Sequence, residues 1–422
     1  MEKKKVIIIT YYWPPAGGPG VQRWLKFSKF LPDSNIEPII ICPREDKAEY
    51  PIRDKSLIND ISSETRVFPT ENKSLYGLYK KLTKAKTAPY SGFANESNPS
   101  FKQKIARFIR GNFFLPDSRK SWNKYAFKKA CELIEKENIK TVITTSPPHS
   151  SQLIGLELKK KYSSIHWIAD LRDPWTDIYY YNNFYPTKLA KYIDTQFEKQ
   201  VLIKSDIVIS VSEYIKKQFI LKSSKINKEK VIVIPNGYDE DDFHFENKKK
   251  NECFTISYTG TLANNYDIST FIKVLKGINF KYKLQFVGKI DEKIKETLNK
   301  ELGDNVSFKN FVPHSESINY LINSDLLLLV IPVQKDNEGI LTGKLFEYIG
   351  SNIPIICLGP THGDAAKIIK DAKAGETFEY NNFKDISEYI NILEQKEHTE
   401  ENTNRKLYSR KNLSLDLSKY IQ

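Results

Sequence analysis

Residues 324–360, SDLLLLVIPVQKDNEGILTGKLFEYIGSNIPIICLGP, carry the pattern that decides the fold. An apolar run at 326–331 stops at Pro332 and gives way to a polar loop. Thr342, Gly343 and Lys344 then open a helical pattern that carries Glu347 and ends at Gly350, and a second apolar run follows at 353–358. The order is strand, loop, helix, strand, with the polar residues gathered at one end.

That arrangement suits an anion. A helix start leaves backbone N–H groups without intrahelical partners and carries partial positive charge, so an anion beside Thr342 and Gly343 gains hydrogen bonds and dipole attraction together. Gly343 permits close backbone approach. Lys344 adds a full charge, and Glu347 lies one turn further on, within reach of sugar hydroxyls of the same ligand. Phosphate at one end and ribose at the other describe a nucleotide. The segment alone leaves open a plainer reading, a capped βαβ unit with a surface Lys and Glu.

Working outward, the same rhythm recurs. The first strand, at 6–10, runs into YYWPPAGGPGVQRW before a helical stretch, and strand, glycine loop, helix is again an order that turns amides toward a phosphate. Gly17 and Gly18, set among three prolines, read as a stiff loop with free amides. Short Ile- and Val-rich runs follow at 38–42, 141–144, 165–169, 207–211 and 231–234, as expected of parallel strands covered on both faces. After Pro235 the pattern breaks into NGYDEDDFHFENKKKNE, and a second set begins at 254–258, continuing at 282–287, 306–308, 326–331 and 353–358. The expectation is an α/β protein of two tandem Rossmann-like domains, 1–234 and 253–401, joined by a linker at 235–252, with the basic segment 402–422 packing back on the first domain. Two such sheets facing one another put the natural ligand site in the cleft between them.

Composition narrows the rest. A chain of 422 residues is long for one core. No apolar run approaches the roughly 20 residues of a bilayer-spanning helix, and MEKKKVIIIT lacks the pattern of a signal peptide, so a cytoplasmic protein is expected. Cys42, Cys131, Cys253 and Cys357 lie far apart, without zinc or redox spacing, and read as thiols in a reducing compartment. The net charge of +13 fits nucleic acid, an anionic membrane surface or solubility alike. Within 73–110, Lys73, Lys80, Lys81, Lys84, Lys86, Lys102, Lys104, Arg107 and Arg110 stand against one acid, Glu96, with Tyr and Phe interleaved. That mixture suits an anionic headgroup interface or a solvated loop, and no nucleic-acid-binding module accompanies it.

The chain carries WPPAGGPG (13–20), TTSPPHSS (144–151), WIADLRDPW (167–175), ISVSEYIKK (209–217), VIPNGYDEDDF (233–243), ISYTGTL (256–262), FVGK (286–289), NFVPHSES (310–317) and TGKLFEYIGSNIPII (342–356), in that order. Together these motifs resemble glycosyltransferase family 4, of the GT-B fold. It implies a retaining transferase that uses a nucleotide sugar, with UDP or GDP as the expected nucleotide, and no further cofactor or metal. The implied acceptor is a lipid-linked sugar or an oligosaccharide, at the inner face of the plasma membrane, in surface polysaccharide synthesis.

By the same resemblance, Gly17 and Gly18 approach the donor diphosphate, Gly260 edges the nucleotide site, and Val312 pairs with the base. Glu347 bonds the ribose, Lys344 and the amides from Leu341 through Thr342 and Gly343 face the diphosphate, and Glu338 lies near the donor sugar. Two departures stand out. Glu338 and Glu347 are separated by eight residues where the family usually has seven, and Leu262, Ala263, Asn264 and Asn265 replace the basic residue many members carry after the Gly260 position. Arg172, Lys289 and Lys344 are the candidates for the missing charge. Asp170 and Asp173 flank Arg172 at a strand end and read either as a base or as structural partners of that arginine. His149 reads as a site residue or a structural histidine, and the acids 239–242 as helix-start and surface charge. Competing functions are a nucleotide-sugar epimerase, a phosphorylase, and a non-catalytic nucleotide-binding partner of a polysaccharide assembly.

Overall fold

The computed structural model describes residues 3–73, 99–244, 251–395 and 402–422. The chain divides into two compact units, one formed by 1–235 with 413–422 and the other by 236–412.

The first unit holds seven strands: β1 (Lys4–Ile9), β2 (Ile36–Pro43), β3 (Arg66–Thr70), β4 (Thr141–Ser146), β5 (His166–Leu171), β6 (Ile207–Ser210) and β7 (Val231–Val233). They lie in the order β3-β2-β1-β4-β5-β6-β7, every neighbouring pair parallel. Alternation along β1 explains why its residues are apolar throughout. Val6 and Ile8 enter one core with Trp24 and Leu25 of the helix Pro19–Phe30, whereas Ile7 and Ile9 enter the opposite core with Ala126, Ala130 and Leu158. Leu413, Leu417 and Ile421 close the Trp24 face, so the chain's last ten residues belong to this unit.

The second unit repeats the plan with β8 (Phe254–Thr259), β9 (Tyr282–Val287), β10 (Val306–Lys309), β11 (Leu326–Val330), β12 (Ile355–Leu358) and β13 (Gly375–Phe378), ordered β10-β9-β8-β11-β12-β13 and all parallel. Leu326, Leu328 and Val330 face one core, and Leu327 and Leu329 the other, beneath Leu345 and Ile349 of the helix Gly343–Gly350. In each sheet the order reverses once, at β1/β4 and at β8/β11. Those are the points where open α/β sheets hold ligands beyond the strand ends.

The sequence did not disclose β3 and β13, both edge strands, because a solvated edge needs no continuous apolar run. The expected linker at 235–252 is also corrected. Tyr238 and Phe243 are buried in the core of the second unit, where a Cβ on Gly350 would come within 2.6 Å of both rings. Residues 402–412 likewise go with the second unit, through Arg405 Nη1 donating to the Ile349 carbonyl at 2.9 Å. Cys42, Cys131 and Cys357 are buried free thiols and Cys253 is half-buried. The basic, aromatic segment singled out above lies, for 74–98, outside the described residues.

Candidate active site

In the second unit two strand ends meet beside the start of the helix Gly343–Gly350. β8 passes into Gly260, whose amide donates to Val287 O at 2.7 Å, and β9 passes into Gly288, whose amide donates to Lys309 O at 2.9 Å. Both glycines have positive φ, +99° and +133°, and a Cβ on Gly288 would come 2.3 Å from Gly260 O. Only glycine permits this close pass of one loop over the other. It leaves the Gly260 backbone directly beneath Lys344, whose Cδ lies 3.2 Å from where a Gly260 Cβ would stand.

Lys344 is held in place by aromatic groups rather than by an acid. Its Nζ donates to the Tyr258 hydroxyl, sits 4.1 Å from the Tyr258 ring centroid and 5.7 Å from that of Tyr266, and reaches Thr261 O at 3.4 Å. Burial pushes the amine down to about 7, and the nearby Glu347 carboxylate offsets only part of that cost. Thr342 is the N-cap, yet its side chain makes no capping bond, and among the described residues its buried Oγ1 has no hydrogen-bond partner. A Cβ on Gly343 would meet nothing within 4 Å. The helix start therefore offers an unused hydroxyl, a depressed lysine and open space above its first residue, a combination suited to an anion.

Glu347, one turn on, faces His314 and Asp242. His314 Nδ1 lies 3.8 Å from Glu347 Oε1, and its Nε2 lies 3.3 Å from Asp242 Oδ2. The bond to Asp242 raises the imidazole above its ordinary pKa, with Glu347 adding to the effect, while burial raises Glu347 against the opposing charges of His314, Arg410 and Lys344. Sequence reasoning missed His314, although it follows the FVP tripeptide, and Asp242 read as surface charge because 72 residues separate it from its partner. Tyr258 was also missed, although it stands two residues before Gly260. Val312 is buried in the loop leading to the helix His314–Ile322, and Leu341 is half-buried just ahead of Thr342. The Lys289 side chain is exposed, and its carbonyl accepts from Leu262 N at 2.9 Å.

Glu338 is placed with a different partner. It sits in the short turn Asn337–Gly339, and its Oε1 lies 3.0 Å from His362 Nε2. The two glutamates thus have separate histidines.

At the corresponding strand end of the first unit, the charges of Asp170 and Arg172 are already satisfied. Asp170, at the end of β5, accepts from Arg23 at 3.1 and 3.3 Å, from Trp24 Nε1 at 2.7 Å and from Thr145 Oγ1 at 2.8 Å. Its partner is Arg23, not Arg172 as the sequence suggested. Arg172 directs its three nitrogens at the carbonyls of Ser146, Gly20 and Pro147, at 2.9, 2.8 and 3.2 Å, and burial lowers its pKa. Asp173 is half-buried, which raises its carboxyl. The loop after β1 also differs from expectation. The Gly17 amide is not free but donates to Ile52 O at 2.9 Å, while Gly18, at φ +84°, makes the turn into the helix Pro19–Phe30. His149 stacks on Trp175 at 4.8 Å, and burial pushes its imidazole down to about 4. Among the described residues no cluster of His, Cys, Asp and Glu is arranged to hold a metal ion.

Two parallel α/β units, each open at its switch point and one of them carrying an anion-ready helix start, define a GT-B architecture. Solved structures agree on the fold. Sucrose-phosphate synthase from Thermosynechococcus elongatus superposes with a TM-score of 0.62 at 14% identity, covering 99% of this chain and 98% of that one. A glycosyltransferase from Rickettsia africae gives 0.59 at 17%, covering 100% and 98%, and Anabaena HepE in complex with UDP gives 0.58 at 11%, covering 99% and 98%. Among curated proteins none matches by sequence. Residues 20–242 match Glycosyltransferase Family 4, and residues 239–411 match Glycosyl transferases group 1. The chain belongs to glycosyltransferase family 4.

Proposed function

We propose that this glycosyltransferase moves a sugar from a UDP- or GDP-sugar to a lipid-linked or oligosaccharide acceptor, with retention of configuration and without a metal or further cofactor, in building a surface polysaccharide. One observation carries the donor assignment. Lys344, its amine lowered to about 7, stands over Gly260 beside the Thr342 hydroxyl, which has no partner among the described residues, and the open start of the helix Gly343–Gly350. A lysine so destabilised as a cation gains most when a diphosphate arrives. Anabaena HepE, which shares the fold, has been solved with UDP, in keeping with a nucleoside diphosphate at such a site.

Sugar transfer breaks the bond between the anomeric carbon and the diphosphate oxygen through an oxocarbenium-like state. The largest demand is to stabilise charge growing on the departing phosphate, and helix amides with Lys344 meet it. In front-face attack the acceptor hydroxyl passes its proton to that phosphate oxygen, so no separate base is required. Glu347, oriented by His314, bonds the ribose. Glu338 and His362 stand on the donor-sugar side, Val312 meets the base, Lys289 serves the diphosphate and Asp173 the acceptor.

The test is incubation of the purified chain with labelled UDP- and GDP-sugars, with and without EDTA. Slow donor hydrolysis that survives EDTA and releases the intact nucleoside diphosphate is expected. Release of an epimerised nucleotide sugar, or nucleotide binding with no turnover, would overturn the proposal.

A further inference from the structure

The helix Phe101–Phe113 is amphipathic in the wrong sense for a helix facing water. It turns its arginines toward the protein: Arg107 is 7% exposed, and the Arg110 guanidinium lies 4.0 Å from the Phe184 ring centroid. Gly111 packs so closely on the Phe184 backbone that a Cβ there would come 2.3 Å from its carbonyl oxygen. The outward face instead presents Phe101, Ile105 and Phe108, spaced i, i+4, i+7, with Phe101 78% exposed. A solvated helix places these residue types the other way round.

A second element extends this face. Asn112 donates to Tyr185 O at 3.0 Å and accepts from the Thr187 amide at 2.7 Å, which ties the start of the helix Lys188–Lys204 to the end of Phe101–Phe113. Ile105, Phe108 and Tyr185 border one shallow groove of about 310 Å³. Leu189 and Tyr192, in the first turns of the second helix, are 69% and 63% exposed. The charges are of one sign. Lys102, Lys104, Lys188 and Lys191 are all exposed, and neither 97–116 nor 178–193 contains an Asp or Glu.

We propose that this face, built from the outward sides of Phe101–Phe113 and the first turns of Lys188–Lys204, docks on a bilayer bearing anionic headgroups. Apolar and aromatic side chains enter the boundary between headgroups and acyl chains while flanking lysines meet the phosphates. A second copy is disfavoured as the occupant, because two such patches would set lysines against lysines with no acid between them. The inference deepens the reading of a lipid-linked acceptor, on which its purpose rests, by giving the first unit the surface that meets the membrane.

Vesicle flotation of the full chain, without donor or acceptor, tests it. Phosphatidylglycerol-containing vesicles should carry the wild type at low salt, phosphatidylcholine vesicles should not, and raising the salt should release it. F101S/I105N/F108S and, separately, K102E/K104E should each reduce partition by roughly tenfold or more, with unchanged melting temperature and unchanged hydrolysis of a nucleotide sugar in solution. Failure of the wild type to float on anionic vesicles, or variants that float as it does, would overturn the proposal. So would a dimer in light scattering that dissociates in the triple variant. Donor hydrolysis, read in the same samples, reports on the transfer reading independently.

Discussion

The two units share a sheet plan and a switch point but use their strand-end charges in opposite ways. In the first, Asp170 takes four hydrogen bonds from Arg23, Trp24 and Thr145, and Arg172 is spread over three backbone carbonyls. These groups are consumed in holding the loops. In the second, Lys344 is held by a phenol and an aromatic face, Thr342 Oγ1 has no partner among the described residues, and the space above Gly343 is open. A buried charge that is fully paired rigidifies, whereas one left underpaired stores interaction for a ligand. On the proposed reading, the same topology yields a clamp in the first unit and a receptor in the second.

The sharpest way to break that contrast is to exchange the outcomes. Asp170→Ala takes the carboxylate from the Arg23 guanidinium, which is 2% exposed and keeps its bonds to the carbonyls of Ile234 and Pro235, and removing one member of a buried ion pair costs about 3–5 kcal/mol. For a unit of this size we expect the melting temperature to fall by roughly 10 °C, read by calorimetry, with nucleotide binding retained in the folded fraction. A variant that melts normally but loses nucleotide would make Asp170 a ligand group and erase the distinction.

Lys344→Ala should show the reverse signature. Loss of one donor to the leaving diphosphate should lower kcat by about 10²–10³, or about 3 kcal/mol. Stability should hold or rise. The folded pKa, about 7, lies below the unfolded value, so the amine's penalty on folding is full below pH 7 and fades as pH rises toward the unfolded pKa. Deleting the amine removes that penalty at neutral pH. Unchanged turnover with a lower melting temperature would make Lys344 a structural residue.

What the sequence disclosed follows the same division. The helix start at Thr342, Gly343 and Lys344 was legible because the pattern that marks it is local: a strand, a loop, a glycine and a lysine within a few residues. Glu347 was legible for the same reason. The long-range constraints were not. Arg23 meets Asp170 across 147 residues and His314 meets Asp242 across 72, and neither pair has a spacing that any helix or strand period would flag. Gly17 showed the limit in the other direction. The glycine pair among prolines correctly marked a special turn, made by Gly18, but whether the Gly17 amide is free depends on Ile52, whose carbonyl the tertiary fold brings to it.

A smaller effect sharpens the receptor side through protons. If the diphosphate favours the charged form of Lys344, its pKa rises on binding and the complex takes up a proton. Below pH 7 the amine is already charged and nothing changes. Above pH 7 affinity should fall by up to about tenfold per pH unit until the pKa of the bound form is reached. Calorimetry of UDP or GDP binding at pH 8, in buffers of different ionisation enthalpy, should show uptake of a fraction of a proton that disappears in Lys344→Met. Equal uptake in that variant would assign the proton to another group, with His314 the first to examine, since its imidazole is also raised.

The smallest and most discriminating change is Gly343→Ala. The glycine has neither the positive φ nor the crowded surroundings that force glycine at Gly288, because a Cβ would meet nothing within 4 Å. As a fold residue it is replaceable, and alanine in a first helical turn should stabilise by about 0.4–1 kcal/mol through the unfolded chain. As a receptor residue it is not, since the added methyl occupies the space above the helix amides where a diphosphate would lie. A melting temperature raised by a few degrees together with a several-fold weaker nucleotide affinity is therefore expected. Higher stability with undiminished affinity would show that the open space is not where the anion binds, and would move the receptor away from this helix start while leaving the clamp of the first unit untouched.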